Sequence, residues 1–377
     1  MKIAFLITHW DNIGGAQIHV RYLARSLVLD GHSVYLLVGG KNPPFIMKDE
    51  YGIEVLKIEN LDREINPIKD WRSLKELKES LRKIQPDLLT IHSSKAGLLG
   101  RLVADSLEVP VIFTAHGWSF TEGIQTGKRI IYIIAEKLGS LLSSKVITVS
   151  DYDRKLALSH KIATPLNIQT IHNGVVDVSN ELYANPENHP PRLTMIARFQ
   201  EQKDHATLIN ALSGLRHLEW ELSLIGNGPL LENIKKLVAK NNLDNRVHFL
   251  GEREDVEMQL SNSQALLLIS KWEGLPLSIL EGMRAGLPVI ASDVGGVSEV
   301  LHNGENGYLI PRNGVDELRN SLEEIITDPI LRKTLGDNGR KHYEENFTYE
   351  LMYKKTFDVY SEAVKSKNQR VEVKFNG

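Results

Sequence analysis

Short apolar runs alternate with helix-like segments along nearly the whole chain, and the alternation is run through twice. In the first half the runs are KIAFLI (2–7), SVYLLVG (33–39), IEVLKI (53–58), PDLLTIH (86–92), PVIFTAHG (110–117) and KVITVS (145–150). In the second they are RLTMIAR (192–198), ELSLIG (221–226), VHFLG (247–251), QALLLIS (264–270), PVIAS (288–292) and GYLIP (307–311). Continuous apolar runs separated by helical patterns predict strands buried on both faces of a parallel sheet. The fold class is therefore α/β, two Rossmann-like domains, each a parallel sheet with helices on both faces. Ligands of such sheets bind beyond the carboxyl ends of the strands. Two domains of this kind joined by a short linker imply a cleft between them.

The expected boundaries are a first domain over 1–178, a linker over 179–191, a second domain over 192–345, and a terminal helix with tail over 346–377. The linker holds ELYANPENHPP (181–191), rich in Pro and Asn and without apolar periodicity. At 377 residues the chain is too long for one small core. Its 42% hydrophobic and 25% charged residues fit a globular protein in water. No apolar stretch suffices to span a bilayer, since the best candidate, 129–144, is interrupted by Glu136 and Lys137. The first run reads as a strand leading into a turn at Asp11 and Asn12, rather than as a signal peptide. With no cysteine, disulfide and thiolate chemistry are excluded, and a cytoplasmic protein is expected. A net charge of −3 gives no reason to expect a nucleic-acid partner. Up to Val178 there are 22 basic against 19 acidic side chains, and 23 against 29 beyond it. A mildly basic first half suits contact with a membrane surface.

The chemistry is densest around EGLPLSILE, which begins at Glu273 and ends eight residues later at Glu281. An apolar strand precedes it, Gly274 and Pro276 break that strand, and Pro276 suits the first turn of a helix that stops near Gly286. A strand, a tight turn and a helix N-terminus together offer free backbone N–H groups to a phosphate. Glu273, in the turn, can reach past such phosphates. Glu281, about one and a half turns into the helix, can accept two hydrogen bonds from the diol of a ribose. One carboxylate for a ribose and one for a sugar, with a diphosphate between, describes a nucleotide-sugar. In RFQEQKD, Arg198 and Lys203 lie five apart across a turn, so a planar fork and a point charge can meet on one diphosphate.

These residues resemble the Glu-x7-Glu and Arg-x4-Lys motifs of family 4 of the glycosyltransferases, retaining enzymes with the GT-B architecture. The resemblance covers nearly the whole chain and is more specific in the second half. It implies that Glu273 orients the transferred sugar while Arg198 and Lys203 neutralise the leaving nucleoside diphosphate. Leu275, Leu277, Ser278 and Glu281 bind the donor. The base lies against the backbone near Arg253, where Gly226 permits close approach. In the first half it places the loop of Gly15 against the donor phosphate and acceptor, and gives His116 a hydrogen bond to the sugar. It also implies that the last helix, within 348–367, crosses back to the first domain, and that HNGV (172–175) is a hinge sequence.

Other readings of the same residues are plainer. Glycines 14 and 15 suit a tight turn, and Ser93 or Ser94 suits a helix cap beside His92 and Lys95, the residues expected on the acceptor side. Asp151 and Asp153 match the Asp-x-Asp metal motif of the other large glycosyltransferase architecture, but Ser150 and Asp153 fit a capping box. No metal site and no cofactor are expected. HSSKAGLLGRL and HGWSFTEG resemble members that build bacterial surface polysaccharides on a polyprenyl-diphosphate carrier. The expected function is thus a metal-independent, retaining transfer of a hexosyl-type sugar from a nucleoside diphosphate to the hydroxyl of a lipid-linked saccharide. UDP, the commonest carrier in the family, is the expected one. The expected place of work is the inner face of the cell membrane, where the apolar side of 126–142 with Lys128, Arg129 and Lys137 would rest on lipid. Two alternatives stay open: a nucleotide-sugar 2-epimerase-like isomerase, and a non-catalytic nucleotide-sugar-binding subunit.

Overall fold

The computed structural model describes residues 1–10, 14–40, 51–121 and 125–376, with side chains described as far as residue 367. The turn expected at Asp11 and Asn12, and the end of HGWSFTEG, lie outside the described residues. The chain divides into two compact units, Met1–His172 with Tyr353–Gly377, and Asn173–Met352.

In the first unit the strands are β1 (Lys2–Ile7), β2 (Ser33–Val38), β3 (Glu54–Lys57), β4 (Leu88–Ile91), β5 (Val111–Ala115), β6 (Lys145–Thr148) and β7 (Ile168–Thr170). They form one sheet in the order β3-β2-β1-β4-β5-β6-β7, parallel throughout. The helices are α1 (Gly15–Leu29), α2 (Pro67–Ile84), α3 (Ser94–Asp105), α4 (Thr126–Leu141) and α5 (Asp151–Ser159). On α1 the buried side chains Val20, Leu23, Ala24 and Leu27 recur with helical spacing, which is why the segment lies on the sheet as a helix. Strand β7 has no apolar run to announce it: of its residues only Ile168 is buried, and it is held as an edge by pairing with β6.

The second unit repeats the construction with β8 (Arg192–Ile196), β9 (Glu221–Ile225), β10 (Val247–Gly251), β11 (Ala265–Leu268), β12 (Val289–Ser292) and β13 (Gly307–Ile310). Their order, β10-β9-β8-β11-β12-β13, is again all parallel. Its helices are α6 (His205–Ser213), α7 (Leu231–Lys240), α8 (Val256–Ser261), α9 (Leu277–Arg284), α10 (Val315–Thr327) and α11 (Pro329–Asn346). In both sheets the strand order reverses direction beside the first strand, between β1 and β4 and between β8 and β11. Those switch points leave a crevice at the carboxyl ends.

The stretch expected as a linker is built into the second unit. Ala184 N donates to Ala285 O at 2.8 Å. Arg332, fully buried, donates to the carbonyls of Pro186 at 2.5 Å and Asn188 at 3.0 Å as well as to Ile325 and Ile326. A proline-rich segment with no periodicity of its own is here fixed by a side chain from 144 and 146 residues away. The last helix, α12 (Tyr349–Asn376), contributes from Tyr353 onward to the first unit. Phe357 stacks on His32 with centroids 5.4 Å apart, and Tyr360 OH lies 2.9 Å from Thr90 Oγ1 in the core.

Candidate active site

In the second unit the expected donor residues stand at the carboxyl ends of their strands. The segment after β8 is pinned along the end of β11: Asp204 N donates to Ile269 O at 2.8 Å and Lys271 N to Gln202 O at 2.8 Å. This short antiparallel contact, Lys203 opposite Ser270, carries Lys203 to Glu273. The ammonium of Lys203 and the carboxylate of Glu273 form an ion pair, with only 14% and 6% of their side-chain surfaces exposed. Gln202 Nε2 bridges the same turn, donating to Trp272 O at 2.7 Å and to Glu273 Oε2 at 3.3 Å. The pairing was not foreseen, since the two residues are expected on different parts of a donor. Lys203 is thus the ion-pair partner of a largely secluded carboxylate.

Helix α9 opens immediately after the turn. Pro276 is its N-cap, no side chain caps its first amides, and no acidic residue occupies its first turn. The N–H groups of Leu277 and Ser278 thus remain available to an anion at the positive end of the helix. Leu275, just before, is buried, and its carbonyl accepts from Asn173 Nδ2 at 2.7 Å. Glu281 lies further along α9 and is partly exposed. Burial pushes its carboxyl up from its ordinary value, opposed by Arg284 and reinforced by Glu257. Such a carboxylate gains from any pair of hydroxyl donors brought to it.

Arg198 follows β8, partly exposed. Its loop is braced by the one after β9. Ala197 N donates to Ile225 O at 2.9 Å, and Phe199 N to Asn227 O at 3.0 Å. Gly226 makes the bracing possible: its φ is +138°, and a Cβ there would lie 2.2 Å from Ala197 O. Arg253, after β10, is exposed and grips Asp255 with two bonds of 2.7 Å, Nε to Oδ1 and Nη2 to Oδ2. That pairing holds the Asp255 carboxyl far below the usual range. Residues the sequence reading passed over complete the site. Gly296 N donates to Gly274 O at 2.9 Å. Gly295, with φ +61°, lies so close that a Cβ would meet Glu273 O at 1.9 Å. The signal was in DVGG (293–296), two glycines at the end of the neighbouring strand.

In the first unit Gly15 is the exposed first residue of α1, whose N-cap amide, Gly14 N, is met by Gln17 Oε1 at 3.2 Å. Ser93 caps α3 in position, but its hydroxyl turns to Thr8, 2.6 Å from Thr8 Oγ1. Lys95 is engaged by Asp70 at 2.7 Å and by the Glu64 carbonyl, so its charge is tied to α2 and the loop before it. Asp153 serves α5: its N–H donates to the N-cap Ser150 Oγ at 3.1 Å, and that hydroxyl donates to Asp153 Oδ2 at 2.7 Å.

His92 follows β4 and His116 follows β5, with His92 Nδ1 and His116 Nε2 3.1 Å apart. His92 Nε2 lies 3.0 Å from Thr90 Oγ1. His19, on α1, meets His116 edge-on with centroids 4.8 Å apart. Burial, and then the mutual repulsion of the rings' charged forms, hold His92 and His116 well below the ordinary histidine value, so both are neutral near pH 7. His19 and His92 are buried, while His116 is partly exposed. Spacings of 73 and 24 residues hid this group from a reading by motif.

Known proteins are similar to this chain along nearly its whole length. The family model described as Glycosyltransferase Family 4 matches residues 13–177, and that described as Glycosyl transferases group 1 matches residues 183–342. An Escherichia coli UDP-Gal:alpha-D-GlcNAc-diphosphoundecaprenol alpha-1,3-galactosyltransferase is 29% identical over 82% of this chain and 84% of its own. An uncharacterized glycosyltransferase of Methanocaldococcus jannaschii is 31% identical over 72% of this chain and 75% of its own. Among solved structures, sucrose-phosphate synthase from Thermosynechococcus elongatus superposes with a TM-score of 0.86 at 21% identity, covering 97% of this chain and 100% of its own. Anabaena HepE in complex with UDP and glucose gives 0.82 at 20% identity, covering 96% and 99%. The fold is GT-B, and the chain belongs to family 4 of the glycosyltransferases.

Proposed function

We propose that this glycosyltransferase takes its sugar from a UDP-sugar and transfers it with retention of configuration to a lipid-linked saccharide in polysaccharide biosynthesis. The observation that carries the donor half is the Lys203–Glu273 pair beside the uncapped N-terminus of α9. Arg198, Lys203 and the first amides of α9 would stabilise charge developing on the diphosphate, with no divalent ion needed there. The bond from the sugar's anomeric carbon to the diphosphate oxygen breaks, and its electron pair leaves on that oxygen. The acceptor oxygen bonds the same face of the sugar, and its proton passes to the departing phosphate. Glu273 would hold the sugar and be held by Lys203, Glu281 would take the ribose diol, and the backbone near Arg253 the base. His116 would hydrogen-bond the sugar, and Gly15, His92 and Lys95 would line the acceptor side.

Support for the acceptor class comes from the E. coli relative whose name specifies a diphosphoundecaprenol-linked acceptor, and from a second E. coli relative named for O-antigen biosynthesis. The surface of the first unit is consistent with it. No described helix is long and apolar enough to cross a membrane. On α4, however, Ile130, Ile131, Ile134, Leu138 and Leu141 are each more than half exposed. Glu136 of the same helix points inward instead, paired at 3.0 Å with buried Arg101. A helix with its acid inside and its isoleucines outside suits a bilayer surface, and Lys128 and Arg129 at its start suit anionic lipid.

The test is binding and slow hydrolysis of UDP-, GDP- and ADP-sugars in the presence of EDTA. Tight binding of one UDP-sugar with release of UDP is expected. Failure of every donor to bind would remove the reading of Glu273 and Glu281, and turnover without acceptor to an epimeric sugar would favour the isomerase.

A further inference from the structure

We infer that His205 is a positioning residue for the donor, a role that rests on the diphosphate site proposed above. Its buried ring joins the two ends of the loop that carries Arg198 and Lys203. The loop leaves β8 and meets the end of β11 before α6 begins. Within it, Gln200 N donates to Arg198 O at 2.8 Å and Lys203 N to Gln200 O at 3.0 Å. His205, the first residue of α6, is 2% exposed. Its ring stacks on Phe199, the neighbour of Arg198, with centroids 4.2 Å apart and planes 15° from parallel. Phe199 is fully buried and fixed by its backbone, its N–H donating to Asn227 O at 3.0 Å and its carbonyl accepting from Leu230 N at 2.9 Å. At the other end of the loop His205 Nδ1 donates to Lys203 O at 2.9 Å, as does the His205 backbone N–H at 2.9 Å. The amide side of that peptide, Asp204 N, donates to Ile269 O at 2.8 Å. The peptide that follows Lys203 is thus gripped on both edges.

The chemistry of the ring points to Lys203 rather than to packing alone. A carbonyl only accepts, so the ring proton sits on Nδ1. Nε2 is buried and meets no polar partner among the described residues, which leaves the bond to Lys203 O as the ring's one polar contact there. Burial pushes the imidazole down to about 4, so the ring is neutral near pH 7 and sets no second charge beside Lys203. Stability by itself would be served better by a phenyl ring of similar shape, because a buried nitrogen without a partner costs free energy. Lys203 has little slack to absorb a shift of its backbone: its side chain is 14% exposed and paired with Glu273. Moving the Lys203 carbonyl therefore moves the ammonium away from where a diphosphate would meet it.

The test sets UDP affinity, by calorimetry on the full chain, against stability in urea. His205→Phe keeps a ring to stack on Phe199 and removes the donor. His205→Asn keeps an N–H near the position of Nδ1 and loses the stack. His205→Phe should unfold at no lower urea concentration, yet bind UDP about 3–10-fold more weakly, the range that one lost hydrogen bond gives. His205→Asn should unfold earlier and bind UDP more tightly than His205→Phe does. A ring that served packing alone would give the opposite order. In a Lys203→Ala background His205→Phe should cost UDP affinity nothing further, because the group it positions is gone. If His205→Phe does not fold, His205→Leu, which also lacks the donor, takes its place in the cycle. Unchanged UDP affinity in Lys203→Ala would remove the diphosphate site, and the role of His205 with it. If Lys203→Ala weakens UDP while His205→Phe does not, or if His205→Phe costs as much with Lys203 as without it, the diphosphate site stands and the role of His205 alone is overturned.

Discussion

Replacing Gly295 with Ala probes how firmly the Glu273 turn must be held. The added Cβ would lie 1.9 Å from the Glu273 carbonyl oxygen, and real Cβ atoms keep at least 3.0 Å. The turn or the loop after β12 must therefore yield by at least about 1.1 Å. Neither can do so freely, because Gly296 N is bonded to Gly274 O and Gln202 grips the turn from the other side. A separate penalty comes from φ +61°, where a non-glycine residue costs about 1–2 kcal/mol. Gly304→Ala isolates that part, since Gly304 has φ +78° with nothing within 4 Å of its Cβ. Gly304→Ala should lose about 1–2 kcal/mol in urea unfolding, and Gly295→Ala about 1–3 kcal/mol more for its overpacked contact. Only Gly295→Ala should also misplace the site, and a shift of about 1 Å from the reacting geometry costs about 100-fold. Measured as kcat/KM for donor turnover, that is about 2.7 kcal/mol. If the two variants keep activities within a few-fold of each other, the turn is not held to that tolerance and Glu273 does not act from this position.

Further expectations concern the same site and the surface of α4. Lys203→Ala should lower kcat/KM by about 2–5 kcal/mol, as should Arg198→Ala, since each leaves a diphosphate under-neutralised; unchanged turnover in either would remove that residue from the donor. In a double-mutant cycle, Glu273→Gln should recover part of the stability lost in Lys203→Ala, because the secluded carboxylate is then no longer unpaired; strict additivity in urea unfolding would show that the pair is not coupled. Glu281 has a folded-state value raised above its ordinary 4.5, so it binds its proton more tightly when folded. Its contribution to folding is present below pH 4.5 and is lost as pH rises through the folded value. Glu281→Gln should therefore be the more stable protein at neutral pH yet bind a UDP-sugar more weakly, with less loss for a 2′,3′-dideoxy analogue; equal losses would mean that the diol is not its partner. Ile131→Asp with Ile134→Asp should abolish sedimentation with anionic vesicles and leave donor hydrolysis in solution unchanged. Retained sedimentation would take α4 out of membrane contact.

Much of this could be read from the order of residues, because the signals are local. Buried parallel strands are apolar along their length, and six strands of each sheet stood out as runs, β3 through the buried Ile53 and Ile58 that flank it, while β7, with a single buried residue, did not. Helix α9 begins at Leu277 because Pro276 ends the extended segment before it, and its C-cap at Ala285 precedes Gly286 at φ +78°. The anchoring of 181–191 was not legible for the opposite reason: nothing within it shows that Arg332 will reach it. On α4 Glu136 looked like an interruption of an apolar stretch, yet it is buried together with Gly139 and Ser140, and its partner Arg101 lies 35 positions away.

By itself, then, the sequence determined two parallel α/β sheets, and it offered at their strand ends residue types that suit a nucleotide-sugar. These follow from periodicity and from turn chemistry, which act over a few neighbours. Only the tertiary structure decided which side chains share an environment. It paired Lys203 with Glu273 and set Gly295 behind that turn. It raised the Glu281 carboxyl by burial and gathered His19, His92 and His116 from three separate elements. Protonation and pairing depend on distances of a few ångströms and on the exclusion of water. Those are fixed by how strands far apart in sequence come to lie side by side.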